Sequence, residues 1–160
     1  MSFDIANDFF LDFIKSLNRS KVSFLLVGGY AVNYYGYNRT TADMDILVRP
    51  ENQNKKQFVE ALIYFGYERA EVEEILQDDF RLHQCYTFGS MPNHIDVLTI
   101  LHRNKQYDDM EKHAEVYTLD NGESLKIIPF QSLVDIKLTT GRPKDLQDAG
   151  QLMRLRNLTD

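Results

Sequence analysis

A short apolar run that stops at a pair of glycines constrains the fold of this chain most. Residues 23–27 read SFLLV, and Gly28-Gly29 follows them directly. A nearly continuous apolar run of this length is typical of a buried strand. The glycines allow a tight turn, and residues 31–35 then predict a short helix that Gly36 ends. A strand, a turn and a helix in this order favour an α/β fold.

The remaining sequence divides into further helices and strands. Helical spacing of apolar residues predicts helices at about 3–19 and 52–65. Strand patterns occur at 43–48, 81–88, 94–100, 116–119 and 124–128. Turn residues at 89–93 and 121–122 predict two hairpins. Pro129 opens a helix to about residue 140 and Pro143 starts the last one.

These elements predict a mixed α/β (α+β) fold, in which a central mixed sheet packs with helices and the C-terminus is helical. The length suits one domain over residues 1–160. We expect its core at about 20–128 and its C-terminal helices at about 129–157.

Composition narrows the choice of partner and compartment. A net charge of −6 disfavours broad electrostatic binding to nucleic acid but leaves a local basic groove open. The first residues lack the basic region of a signal peptide, and no apolar run approaches the ~20 residues of a membrane helix. The single cysteine, Cys85, suits a reducing cytoplasm. We therefore expect a cytoplasmic protein with no membrane partner.

Asp43-Met44-Asp45 is the sharpest local feature of the sequence. In a strand, residues i and i+2 share a face and lie roughly 7 Å apart. Two such carboxylates repel each other, so they belong at a solvated strand end or around a cation. An oxygen-rich site without histidine suits Mg²⁺ or Mn²⁺. The pair alone is more typical of two solvated acids at a strand end than of a metal site.

The glycine pair is a second candidate feature. Backbone N–H groups at Gly28 and Gly29 can bind phosphate, helped by the dipole of the following helix. No Gly-Lys-Ser/Thr follows, which excludes a P-loop, and the third glycine of a dinucleotide fingerprint is missing. Many turns between a strand and a helix contain glycine for structural reasons alone.

Asp96 is the third feature, an acid between the apolar residues Ile95 and Val97. An unpaired acid inside such a strand destabilises the fold, so it calls for a partner. If this strand lies beside Asp43 and Asp45, three carboxylates can hold two divalent ions about 3.5–4 Å apart.

Together these segments resemble the signature of the DNA polymerase β-type nucleotidyltransferase superfamily. Residues 25–32 read LLVGGYAV, Gly36 follows, and residues 39–46 read RTTADMDI. The size and the late third acid resemble small bacterial nucleotidyltransferases, a group that includes antibiotic nucleotidyltransferases and toxin–antitoxin enzymes. Residues 137–148 are similar to a C-terminal helical segment of several of those families. The resemblance spans about 25–150.

The resemblance implies a metal-dependent transfer of a nucleoside monophosphate from a nucleoside triphosphate (NTP) to an acceptor hydroxyl. It implies that Asp43 and Asp45 hold two Mg²⁺ or Mn²⁺ ions that bind the triphosphate. Asp96 would complete the site of the ion that activates the acceptor and would act as general base. Gly28 and Gly29 would hold the β- and γ-phosphates, and pyrophosphate would leave after in-line attack.

Three further side chains are candidates for nucleotide binding, each with a structural alternative. Arg39 could neutralise phosphate or pair with Asp43 or Asp45. Lys137 could reach phosphate or base, or form a structural salt bridge. Tyr30 could stack on the base or belong to the core.

Two other functions use some of the same sequence features, and a zinc site is a third possibility. A non-catalytic nucleotidyltransferase-fold antitoxin or regulatory partner would not need an intact acid trio. A glycosyltransferase also uses Asp-x-Asp with Mn²⁺, but the short chain and the early glycine pair disfavour it. A zinc site at His83, Cys85 or His94 is not expected, because no second Cys/His pair has ligand spacing.

The acceptor stays open at this level. A small hydroxyl compound, a tRNA end and a protein side chain all fit the implied chemistry. Since the chain has little room for a large substrate domain, a homodimer or a partner chain could supply part of the acceptor pocket.

Overall fold

A computed structural model describes residues 3–102 and 104–159, with no side-chain description at 158 and 159. Its strands are β1 (Phe24–Val27), β2 (Met44–Val48), β3 (Cys85–Ser90), β4 (Asn93–Leu98), β5 (Glu115–Thr118) and β6 (Ser124–Ile127). Its α-helices are α1 (Asp8–Arg19), α2 (Gly28–Tyr34), α3 (Asn52–Phe65), α4 (Arg69–Val72), α5 (Tyr107–Lys112), α6 (Phe130–Thr140) and α7 (Pro143–Thr159). A short 3-10 helix spans Glu73–Gln77.

The strands form one six-stranded sheet in the order β3-β4-β2-β1-β6-β5. Strand β1 runs antiparallel to β2 and parallel to β6, while β2 runs parallel to β4. The two predicted hairpins, β3–β4 and β5–β6, form the two edges of the sheet. The predicted mixed α/β fold with a central mixed sheet is therefore confirmed.

Alternation along the strands gives the sheet one apolar face and one partly polar face. Helices α1 and α3 cover the apolar face, where the rings of Phe13 and Phe58 lie 5.6 and 6.0 Å from that of Phe88. Asp45 and Asp96 point to the other face, because each alternates with a buried apolar neighbour. The acids therefore lie outside the main apolar layer.

The first helix is shorter than predicted. It begins at Asp8 because Asn7 caps it, with the side-chain oxygen accepting a hydrogen bond of 3.1 Å from the Phe10 N–H. Ile5 is buried although it precedes the helix, so its apolar spacing was misread as a first turn.

The predicted helix after the glycine pair also has different bounds. Helix α2 starts at Gly28 itself rather than at residue 31. In the β3–β4 hairpin the strands extend through Ser90 and resume at Asn93, so the turn is tighter than predicted. Helix α5 was not predicted at all.

The C-terminal helices agree with the sequence signals. Helix α6 follows Pro129 and ends at Gly141, which has a left-handed φ of 69°. Helix α7 begins at Pro143. Helix α6 places Leu133 and Ile136 over the partly polar face of the sheet. Within the described ranges, no helix has both the length and the apolar character that a bilayer crossing requires.

Candidate functional site

Three carboxylates meet where β2 and β4 lie side by side. Asp45 and Asp96 are opposite each other in the parallel register, and Asp43 immediately precedes β2. The side chains of Asp43 and Asp96 are 36% and 27% exposed, so a ligand in solvent can reach them. The structure thus brings together the three acids that the sequence analysis selected.

The pKa of Asp45 reports how these charges interact. Burial, followed by the charges of Asp96 and Asp43, raises the pKa of Asp45 from 3.8 to about 6. Lys137 and His94 act in the opposite direction but are outweighed. The ionised cluster therefore lacks positive charge, which a bound cation would supply.

Gly28 makes room for Asp45. Its φ of +67° is left-handed, and a Cβ atom at this position would overlap the Asp45 carboxylate. Gly29 has a different neighbour, because a Cβ there would overlap the side chain of Thr41 and lie 3.4 Å from Nη1 of Arg39. Both glycines therefore have packing reasons to be glycine, independent of any phosphate.

His94 joins the acids, although the sequence analysis did not place it there. Its Nε2 lies 3.2 Å from Oδ2 of Asp43 and 3.5 Å from Oδ2 of Asp96. One ligand atom from each of these three residues lies within 4.8 Å of the other two, close enough to hold a metal ion. The sequence signal was the i, i+2 spacing between His94 and Asp96, which puts both on one face of β4.

Two hydrogen bonds orient the carboxylates of this group. The backbone N–H of His94 donates to Oδ1 of Asp43 at 3.2 Å. The hydroxyl of Thr87, opposite Asp96 on β3, donates to Oδ1 of Asp96 at 2.7 Å. Thr87 was also missed, because only the strand register places it beside Asp96.

Arg39 and Lys137 pair with acids on α7. The guanidinium of Arg39 donates to both oxygens of Asp148 at 2.8 and 3.0 Å. Nζ of Lys137 lies 3.1 Å from Asp145 and 3.0 Å from Asp148, whose side chain is only 1% exposed. Arg142 also donates to Asp145, at 2.7 Å. We call these five residues the α7 ion cluster. Lys137 thus forms a structural salt bridge, as one of its two alternatives expected, whereas Arg39 pairs with Asp148 and not with Asp43 or Asp45.

Tyr30 is half-buried beside the core. Its ring meets that of Phe10 edge to face, with centroids 5.7 Å apart. Burial, and to a lesser degree the charge of Asp43, raises the pKa of Tyr30. Tyr30 therefore packs on the core while lying near the acids.

A cavity of about 270 Å³ opens beside Asp45. Its polar lining includes Gly28, Asp45, Lys137 and Arg142, and its apolar lining comes from β1, from β4 and the loop after it, and from α6. The apolar residues are Val27, Leu98, Leu101, Leu133 and Ile136. The site thus joins a carboxylate cluster to a small cavity with an apolar wall and cationic side chains.

Comparison with known proteins agrees with this architecture. No protein-family model and no curated protein sequence matches the chain. The solved structure of the lincosamide antibiotic adenylyltransferase LnuA, with lincomycin bound, is similar with a TM-score of 0.50 and 13% sequence identity. The similarity covers 95% of this chain and 99% of that one. The chain therefore has a nucleotidyltransferase-like fold.

Proposed function

We propose that this protein is a metal-dependent nucleotidyltransferase that moves a nucleoside monophosphate from an NTP to an acceptor hydroxyl and releases pyrophosphate. The observation that carries the proposal is the β2–β4 register, which sets Asp45 beside Asp96. Asp43 lies at the entrance to the same pair, in a fold similar to that of an adenylyltransferase. A single domain over residues 1–160 would contain the whole site.

The residues present suit divalent cations. Asp43, Asp45 and Asp96 offer carboxylate oxygens, which Mg²⁺ and Mn²⁺ prefer. The raised pKa of Asp45 supports this assignment, because burial and then the charges of Asp96 and Asp43 disfavour its ionised form, and a bound cation would favour that form. Two such ions, when bound, would neutralise the triphosphate and lower the pKa of the acceptor hydroxyl.

Each acid has a proposed role. Asp43 and Asp45 would hold the cations that bind the triphosphate. Asp96 faces the acceptor, aligns its hydroxyl and accepts its proton, while the bond from Thr87 keeps the Asp96 carboxylate in one orientation. In-line attack on the α-phosphorus then follows from positioning rather than from covalent chemistry.

The remaining predicted residues contribute to nucleotide binding. Backbone N–H groups at Gly28 and Gly29 hold the β- and γ-phosphates. Lys137 faces the cavity beside Asp45, and its third N–H donor is directed to phosphate while two acids hold the other two. Arg39 supports the phosphate-binding turn through its place next to Gly29, and Tyr30 lies along the base or ribose.

The acceptor, partner and compartment extend the same proposal. LnuA carries lincomycin in its solved structure, so a small hydroxyl compound is the first acceptor to test. A tRNA end and a protein side chain are the next acceptors to test. A homodimer or partner chain would complete the acceptor pocket. A single exposed cysteine, Cys85, suits cytoplasmic work.

The test is transfer of label from a nucleotide. The protein is incubated with each α-³²P-labelled NTP, Mg²⁺ or Mn²⁺, and either lincomycin or a cell extract, and the labelled product is identified. We expect label to move from one NTP, with release of pyrophosphate. Failure to label any product, together with absence of metal-dependent NTP binding, would contradict the proposal and favour a non-catalytic partner.

Asp96→Asn is the matched variant for this experiment. The amide keeps the size of the side chain and loses the charge, so the fold should survive. We expect kcat to fall by at least about 100-fold, as for loss of a general base, with a smaller change in the KM for NTP. Transfer at the wild-type rate would mean that Asp96 is a structural acid.

A further inference from the structure

We propose that His94 is a direct ligand of the cation held by Asp43 and Asp96, and that its imidazole makes this site prefer transition-metal ions such as Mn²⁺ to Mg²⁺. The inference rests on the proposed function and deepens it, because it names the class of cation. It adds a nitrogen ligand to a site that the sequence analysis described as oxygen-only.

The first argument is convergence. Nε2 of His94 lies 3.2 Å from Oδ2 of Asp43 and 3.5 Å from Oδ2 of Asp96, and one ligand atom from each of the three residues lies within 4.8 Å of the others. All three potential metal-ligand atoms lie in the small area where β4 meets the start of β2. Asp45 is not part of this group; its carboxylate lies against Gly28.

The second argument is orientation of the ligands. In each carboxylate, Oδ1 already accepts a hydrogen bond, from the His94 N–H in Asp43 and from the Thr87 hydroxyl in Asp96. The Oδ2 atoms are therefore the ones left to face the imidazole. Fixed outer partners of this kind orient the ligands of metal sites.

The third argument is coordination chemistry. Mg²⁺ prefers oxygen ligands, keeps several waters and requires near-octahedral geometry. Imidazole nitrogen is a better ligand for first-row transition ions than for Mg²⁺. Among the divalent ions of that row, affinity for mixed N/O sites rises from Mn²⁺ to Cu²⁺. Two carboxylates and one imidazole at this spacing thus favour a transition ion.

The direct test is pulsed electron paramagnetic resonance of the full chain loaded with one equivalent of Mn²⁺. An imidazole bound to Mn²⁺ gives a ¹⁴N modulation that oxygen ligands do not give. We expect this signal in the wild-type protein and in the control variant His83→Asn. His83 is an exposed histidine outside the site. We expect it to disappear in His94→Asn while Mn²⁺ still binds through the acids.

The second readout is cation selectivity, measured by calorimetric titration with Mn²⁺ and with Mg²⁺ in the absence of nucleotide. Asparagine replaces the ring nitrogen by an amide oxygen, which Mg²⁺ accepts. We expect His94→Asn to bind Mn²⁺ about tenfold more weakly, with a smaller change for Mg²⁺, so the Mn²⁺ preference shrinks. Circular dichroism of each variant checks the fold.

The outcomes separate the two proposals. The role of His94 would be overturned if the wild-type protein bound Mn²⁺ without a ¹⁴N signal. It would also be overturned if His94→Asn kept the wild-type ratio of Mn²⁺ affinity to Mg²⁺ affinity. Either result would leave the nucleotidyltransferase proposal standing. A wild-type protein that binds neither cation, with or without NTP, would overturn both.

Discussion

At the scale of single residues, Asp45 is the acid of the site whose ionised form is most strongly disfavoured. It is partly buried, and its two nearest like charges are Asp96 and Asp43. These effects destabilise its ionised form at neutral pH, and a cation would reverse them. The geometry of the acids is therefore unfavourable in the metal-free protein, and a bound cation would offset part of this cost.

Replacing Asp45 by asparagine should separate these two effects. In the presence of a chelator at pH 7, we expect Asp45→Asn to be about 1–3 kcal/mol more stable than wild type, because the repelled charge is gone. Its affinity for metal–NTP should fall below detection in calorimetry. Asp120→Asn, an exposed acid in a turn, is the control and should change neither quantity. Undiminished metal–NTP binding by Asp45→Asn would refute the assignment.

Thr87 offers a second test at this scale. Thr87→Val keeps the shape of the side chain and removes the hydrogen bond to Asp96. We expect metal affinity to fall about tenfold, since loss of an outer partner usually has this effect, with little change in stability. Titration of Mn²⁺ into the variant measures it. Wild-type affinity would mean that the hydroxyl does not orient Asp96.

At the scale of elements, the α7 ion cluster fixes the C-terminal helices to the rest of the fold. Asp148 on α7 binds Arg39, from the segment before β2, and Lys137 on α6. If this buried carboxylate is removed, Arg39 loses its acidic partner and Lys137 keeps only Asp145. Asp148 therefore helps to join α6, which lines the cavity, and α7 to the segment before β2.

We expect Asp148→Asn to lower the free energy of unfolding by about 3 kcal/mol, because Arg39 loses its buried acidic partner and Lys137 loses one of its two. Urea denaturation measures the change. The control is Glu60→Gln, which breaks the exposed pair with Arg69 and should change stability by less than about 1 kcal/mol. If the two variants lowered the free energy of unfolding equally, burial of the ion pairs at Asp148 would add nothing to stability.

The sequence predicted most elements but not how they meet. Proline and glycine mark helix ends clearly in this sequence. Helix α6 lies between Pro129 and Gly141 and helix α3 ends before Gly66, as predicted. The start of α1 was misplaced, since Ile5 has helical spacing yet precedes the Asn7 cap. Helix α5 buries only two residues, Tyr107 and Met110. Two positions are too few to show a helical repeat in the sequence, so this helix was not predicted.

At the scale of the whole molecule, the α7 ion cluster also shapes the response to acid. Burial raises the pKa of Asp145, but hydrogen bonds from Thr140, Lys137 and Arg142 outweigh it and hold the pKa at about 2, below the ordinary 3.8. The folded state thus favours the ionised form more than the unfolded state does.

The sign of the pH dependence follows. The contribution of Asp145 is complete above about pH 4 and is lost as the pH falls from about 4 towards 2. We expect Asp145→Asn to lower the unfolding free energy at pH 7 by up to roughly 2 kcal/mol, with a smaller gap from wild type at pH 3. Denaturation curves at both pH values test this. A gap that widens in acid would reverse the assignment.

The site could be predicted only as far as residue type and local spacing allow. Asp43 and Asp45 stand out because they share a strand pattern, and Asp96 because it interrupts an apolar strand. His94 and Thr87 have ordinary sequence contexts, and they join the acids only through pairing of β4 with β2 and β3. Likewise, pairing of Arg39 and Lys137 with Asp148 depends on where α7 lies.

The contact between Gly28 and Asp45 makes these two positions interdependent. Any side chain at 28 would occupy the volume of the Asp45 carboxylate, so a library randomised at 28 alone should yield glycine almost exclusively among folded, metal-binding clones. Randomising both positions should recover small residues at 28 only where 45 has shrunk, and those clones lose the cation. Related chains that keep this acid should therefore keep this glycine, while the left-handed φ of residue 28 favours glycine even where the acid is lost.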